Sequence, residues 1–160
     1  MGKNNKVYID NILKNELQKY ATEVAIGLAT KVRDELTEIT SYAIDEFYKS
    51  YTPVSYNRNY YNFKKNSFTK FYQNSHNSII RGGVELTPDN LDSIYSTDKY
   101  IVFNTVYSGI HGFPSVTPTM NPNPYKIITD YRNDIISNIQ DYKMYGIQRA
   151  NKNNYTMLKS

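Results

Sequence analysis

Residues 10–55 read DNILKNELQKYATEVAIGLATKVRDELTEITSYAIDEFYKSYTPVS. Leu13, Leu17, Tyr20, Val24, Leu28, Val32, Leu36, Ile39, Ala43 and Phe47 recur in this stretch at steps of three and four. That spacing stacks them on one face of a 3.6-residue helix, whereas a strand would need alternation by twos. Glu16, Lys19, Glu23, Lys31, Arg33, Asp34 and Glu38 fall mostly between the apolar positions. Asp10 or Asn11 can cap the start, because a short side-chain oxygen accepts from the open amides of a first turn. Pro53 disfavours helical backbone at Thr52, so the helix closes at or before Tyr51. Unbroken from 11 to 49 it would be about 58 Å long, wider than a 160-residue domain. Gly27 costs about 1 kcal/mol relative to Ala and marks either a kink or a close contact where a neighbouring helix or strand crosses; either the helix breaks there, or its first half protrudes and packs on another subunit.

The rest of the chain has to cover that stripe. Residues 55–66 are polar and aromatic and read as a loop entering a strand. Ser67–Tyr72 alternates, with Phe68, Lys70 and Tyr72 on one face and Thr69 and Phe71 on the other. Residues 74–77 read as a turn, and Ser78–Leu86 as a second strand with a bulge or bend at Gly82-Gly83. Thr87 and Pro88 suit a helix start over Leu91–Ser96. Residues 100–107 (Tyr-Ile-Val-Phe-Asn-Thr-Val-Tyr) are β-branched and aromatic, and predict a central strand. A loop rich in proline and glycine spans 108–124, and loops of that length are usually functional or mobile. A last helix runs from Pro124 to about 145, with Ile128, Tyr131, Ile135, Ile139 and Tyr142 on one face and Gly146 as its stop. The expected fold is α+β: a long N-terminal helix and a C-terminal helix packed on a small antiparallel β-sheet. Residues 10–146 form its single domain, between a flexible arm (1–9) and a flexible tail (147–160).

Composition excludes several chemistries. The chain has no Cys, hence no disulfide, thiol nucleophile, iron–sulfur cluster or Cys-ligated zinc. His76 and His111 lie in no metal-spaced or triad-like arrangement. Glu35 with Glu38, and Asp89 with Asp92, sit three residues apart, but such pairs on an amphipathic helix read as a solvated face rather than an acid–base couple. Arg81-Gly82-Gly83 lacks the later Gly, Lys and Ser/Thr of a phosphate-binding loop. No apolar run is long enough to span a bilayer, and no signal peptide is visible. The expectation is a protein without catalytic activity, metal or cofactor.

Charge is uneven beneath a net +4. Residues 51–82 carry five bases and no acid, and residues 10–50 carry eight acids against five bases. Tyr56, Arg58, Tyr60, Tyr61, Lys64, Lys65 and Lys70 interleave aromatics with cations. That mixture can stack bases and neutralise phosphates, and it is also typical of protein–protein contacts. The contact reading is preferred; a small intracellular nucleic-acid-binding or effector protein is the alternative. A second contact region lies in the 109–124 loop, with Ile110, His111, Phe113 and Met120.

One family shares this order of features. A helix running into Pro53-Val54-Ser55, then Asn66-Ser67-Phe68 opening a strand, then Tyr107-Ser108-Gly109 and His111-Gly112, then a C-terminal helix, resembles the tail-completion or neck proteins of long-tailed bacteriophages. These are also called head–tail joining or minor capsid proteins. The chain departs from the family pattern in lacking the Gly expected soon after Ser55, and in longer segments at 57–65 and 87–97. The resemblance implies an α+β virion structural protein, assembled in the host bacterial cytoplasm into a ring, commonly of six copies. It implies contacts with the connector or adaptor and with the tail terminator, with the 56–65 segment also able to touch DNA in the channel. It implies no catalysis and no membrane.

Overall fold

The computed structural model describes residues 3–50, 60–74, 79–91, 99–111, 119–120 and 122–157. The stripe read from the sequence forms one uninterrupted helix, α1 (Lys3–Lys49). At 1.5 Å per residue it is about 70 Å long, against roughly 40 Å for the diameter of a compact chain of this size. It begins inside the segment expected to be a flexible arm. Thr22, Thr37 and Thr40 do not break it, because each hydroxyl donates to the carbonyl four residues back.

Gly27 does not break it either. A Cβ at Gly27 would stand 3.0 Å from Gly146 Cα, so the residue is a crossing point where a second helix backbone comes close. That second helix is the end of the chain. Pro124–Ser137 forms α4 and Ile139–Met157 forms α5. Asn123 caps α4, its side chain accepting from the Lys126 amide at 2.9 Å, and Pro124 follows at the first position. The single helix expected over 124–145 is therefore two, parted at Asn138, whose own N–H and side chain both donate to the Asp134 carbonyl. Gly146 lies inside α5, not at its end, and the helix runs on through residues expected to be a tail.

Phe68–Asn74 (β1) and Ile80–Leu86 (β2) pair antiparallel, from Phe68 opposite Leu86 to Asn74 opposite Ile80. Every residue between has one partner, so the bulge expected at Gly82-Gly83 is absent. The glycines serve packing instead. A Cβ at Gly82 would fall 2.3 Å from the Ala29 carbonyl oxygen, and Phe71 lies across the ladder over Gly83. β2 rests on α1, while β1 is exposed along its whole length after Phe68. The turn expected at 74–77 falls mostly outside the described residues, as does the helix expected over 91–96.

Two further expectations are overturned. Tyr60–Asn66 forms a short helix, α2, where a loop was expected. Lys99–Ser108 forms helix α3, where the strongest strand was expected. An unbroken apolar run fits a buried strand or a buried helix equally well by pattern. Here Phe103, Val106 and Tyr107, spaced three and four apart, turn to the core, while Tyr100 and Val102 are exposed. Gly109, at φ 70°, ends α3, and its N–H donates to the Val106 carbonyl. Ile110–His111 (β3) then pairs antiparallel with Thr119–Met120 (β4), so part of the long loop is closed by a two-residue ladder.

The core sits at the C-terminal end of α1. Ile44, Phe47, Phe63, Val106 and Tyr107 form it, with Phe68, Leu86, Leu91, Phe103 and Ile128 packed around. Thus α1 is the element that the hairpin, α4 and α5 all share, within an α+β fold.

Candidate interaction surfaces

Two of the residues singled out by the resemblance, Ser67 and Tyr107, meet in the core. Ser67, before β1, and Tyr107, in the last turn of α3, are both buried, and their hydroxyls are 3.1 Å apart. The Ser67 N–H donates to the carbonyl of Phe63, midway along α2, and its carbonyl accepts from Thr87 beyond β2. Ser67 therefore ties α2, the hairpin and α3 together. Burial pushes the Tyr107 hydroxyl up to about 12, with the Ser67 hydrogen bond pulling the other way. Pro53, Val54 and Ser55 lie outside the described residues.

The basic aromatic stretch divides. Tyr56 and Arg58 lie outside the described residues. Tyr60 and Tyr61 belong to α2. Lys64, expected to face a partner, is half-buried and turned inward, donating to both carboxylate oxygens of Asp45 at 2.8 Å. It fastens α2 to α1. Lys65 and Lys70 are exposed. In the second region Ile110, His111 and Met120 belong to the β3–β4 ladder, with Ile110 opposite Met120 and His111 opposite Thr119. Phe113 lies outside the described residues, as does His76. Among the described residues no group of three or more His, Asp or Glu is placed to hold a metal ion. No described helix is long and apolar enough to cross a membrane.

Glu35 departs from its reading as part of a solvated face. Its side chain is mostly covered and collects three donors. Lys31 approaches Oε1 at 2.8 Å, and the Tyr131 and Tyr142 hydroxyls donate to Oε2. One carboxylate thus joins α1 to both α4 and α5 across the Asn138 break. Burial pushes its carboxyl up, but the hydrogen bonds from Lys31, Tyr142 and Tyr131 and the Lys31 charge outweigh that and leave it below the usual carboxylate range. Burial, then the bond to Glu35 and its charge, push both tyrosine hydroxyls up. All three groups that meet the Glu35 carboxylate come from this chain, so the cluster works as a clamp. Farther along, the Tyr20 hydroxyl donates to Asn151 and the Asn153 amide to Glu23, which pins the later part of α5 to α1.

Beyond that point the described side chains of α1, Tyr8 and residues 10–19, are exposed. Tyr8, Leu13 and Leu17 are 68%, 56% and 69% exposed, although Leu13 and Leu17 continue the stripe that seats α5 from Tyr20 onward. Ile136 and Ile139, on either side of the Asn138 break, and Met144 farther along α5 are also exposed.

No family model, curated protein or solved structure matches the chain.

Proposed function

We propose that this chain is a structural virion protein at the bacteriophage head–tail junction, a neck or tail-completion subunit. It would join the connector to the tail through protein–protein contacts in a ring. The observation that carries this reading is the uncovered apolar seam on α1. Leu13 and Leu17 continue the stripe that seats α5 yet are 56% and 69% exposed, and subunit contacts cover surface of that kind. Supporting it, the two family-like segments around Ser67 and Tyr107 share a hydrogen bond in the core, which is what segments of one structural signature would do. α3 departs from the family pattern, which has a strand at its position.

The nucleic-acid alternative loses part of its footing, since Lys64 is spent on Asp45 inside the fold. Disruption of the reading frame in the phage tests the role. The expected result is filled heads and complete tails that accumulate unjoined, with tailed particles restored by supplying the chain in trans. Normal tailed, infectious particles from the disrupted phage would refute it.

A further inference from the structure

The outer edge of the hairpin is open. Among the described residues β1 pairs with β2 alone, and no backbone group of residues 68–74 bonds outside that ladder. Such a row of amides and carbonyls is a template for another strand, and folded chains usually blunt it with a bulge, a proline or charge. β1 reads Phe-Thr-Lys-Phe-Tyr-Gln-Asn, seven residues in unbroken register with Lys70 as the one charge. We infer that β1 pairs antiparallel with β1 of a second copy of this chain, joining two hairpins into one four-stranded sheet centred on Phe71. The pairing closes on itself with two copies and does not depend on the neck reading.

Side-chain chemistry favours a second copy and selects its register. A Cβ at Gly82 would meet Ala29 of α1, so Gly82 and its partner Tyr72, with Lys70 and Phe68, lie on the α1 side of the sheet. Thr69, Phe71 and Gln73 lie on the outer side, where Phe71 covers Gly83. Residues directly opposite in a ladder share a face. A two-fold axis keeps the α1 side of both copies together, so the axis must pass where one residue stands opposite its own counterpart. Centring on Lys70 opposes two like charges, which is destabilising. Centring on Tyr72 pairs only residues 70–74. Centring on Phe71 pairs the whole strand: Phe71 meets its counterpart, Thr69 meets Gln73, and Lys70 meets Tyr72. That register gives an aromatic pair on the outer side and a cation beside a ring, twice, on the other. Lys70, Phe71 and Tyr72 are all exposed in the single chain. The one charge that would blunt the edge is thus matched by the strand's own sequence.

Cysteine pairing reads the register, since the chain has no Cys of its own. Thr69→Cys and Gln73→Cys change exposed positions and leave Lys70, Phe71 and Tyr72 in place. When the two full-length variants are mixed, their cysteines stand directly opposite, about 4.5–5.5 Å apart at Cα, within the reach of a disulfide. Within either variant alone they are four residues out of step, about 14 Å along the strand, and cannot bond. Under a mild oxidant the mixture is expected to give a covalent dimer on a non-reducing gel, and neither variant alone to give one. Equal cross-linking in all three samples, or none in the mixture, overturns the inference. Adding Tyr72→Lys to both variants sets like charges opposite Lys70 and is expected to abolish the cross-link with circular dichroism unchanged; adding Lys70→Glu as well is expected to restore it. Cross-linking that ignores both changes also overturns the pairing. A chain that cross-links but is missing from tailed particles loses the neck role and keeps the pairing, and one found in the neck that never cross-links does the reverse.

Discussion

Replacing Gly146 with alanine should destabilise the protein, against the rule for helices. By intrinsic propensity the change is favourable, since alanine in a helix interior is worth about 1 kcal/mol over glycine. The crossing of α1 and α5 reverses the sign. A Cβ at position 146 would lie 2.4 Å from the Val24 carbonyl oxygen, whereas ordinary contact begins at 3.4 Å. The obstacle is backbone on a long helix, so no side-chain rotation relieves it, and α5 must retreat by about 1 Å. A gap of that size forfeits a quarter to a half of the dispersion energy of each contact it opens, and it opens them around Gly27 and the fully buried Ala150. Overpacking costs about 1–3 kcal/mol, and an obstacle of rigid backbone belongs in the upper half of that range, so after the propensity gain of about 1 kcal/mol a net loss of about 1–2 kcal/mol remains. Urea unfolding followed by circular dichroism measures it, with an unchanged slope and a lower midpoint expected. A variant as stable as the parent, or more so, would refute the close crossing.

Three further outcomes follow from the same geometry. Tyr107→Phe leaves the buried Ser67 hydroxyl without its partner and should cost about 1–2 kcal/mol, while adding Ser67→Ala should cost less than the sum of the two single changes, as a double-mutant cycle in urea will read. Glu35 titrates in the folded chain below its ordinary value of 4.5, so its stabilisation is complete above that value and is lost as pH falls through the lowered one. Glu35→Gln should therefore be less stable near neutrality and show a shallower loss in acid, measured as unfolding midpoint against pH. Lys64→Ala removes the two-oxygen contact with Asp45, both side chains being 29% exposed, and should cost about 0.5–1 kcal/mol. It should also speed hydrogen exchange in α2, which that ion pair holds to α1.

The sequence exposes some of this molecule and hides the rest for identifiable reasons. The stripe from Leu13 to Phe47 is local and long, so α1 was legible, and so was the alternation that gives β1 and β2. Gly27 was open to two readings because its meaning lies in Gly146, over a hundred residues away. Residues 100–107 misled because an apolar run of that length fits either a strand or a helix, and only the side from which the core approaches decides between them. Glu35 looked like a surface acid because Tyr131 and Tyr142 are brought to it by the fold alone. Lys64 looked like a partner-facing cation for the same reason, with Asp45 on the neighbouring helix. The exposed face of the arm was visible in outline, since a helix longer than its domain has to project. The break at Asn138 was not, because the pattern draws residues 124–145 as one continuous helix.

The most direct measurement is location. Tailed particles purified from the producing bacterium, separated from soluble protein, would be searched for this chain by quantitative mass spectrometry. A neck subunit must co-sediment with tailed particles at a few copies in each, as a single ring requires. A chain found only in the soluble fraction would contradict the neck role, and the exposed cations of the hairpin region would then be the place to look for its partner.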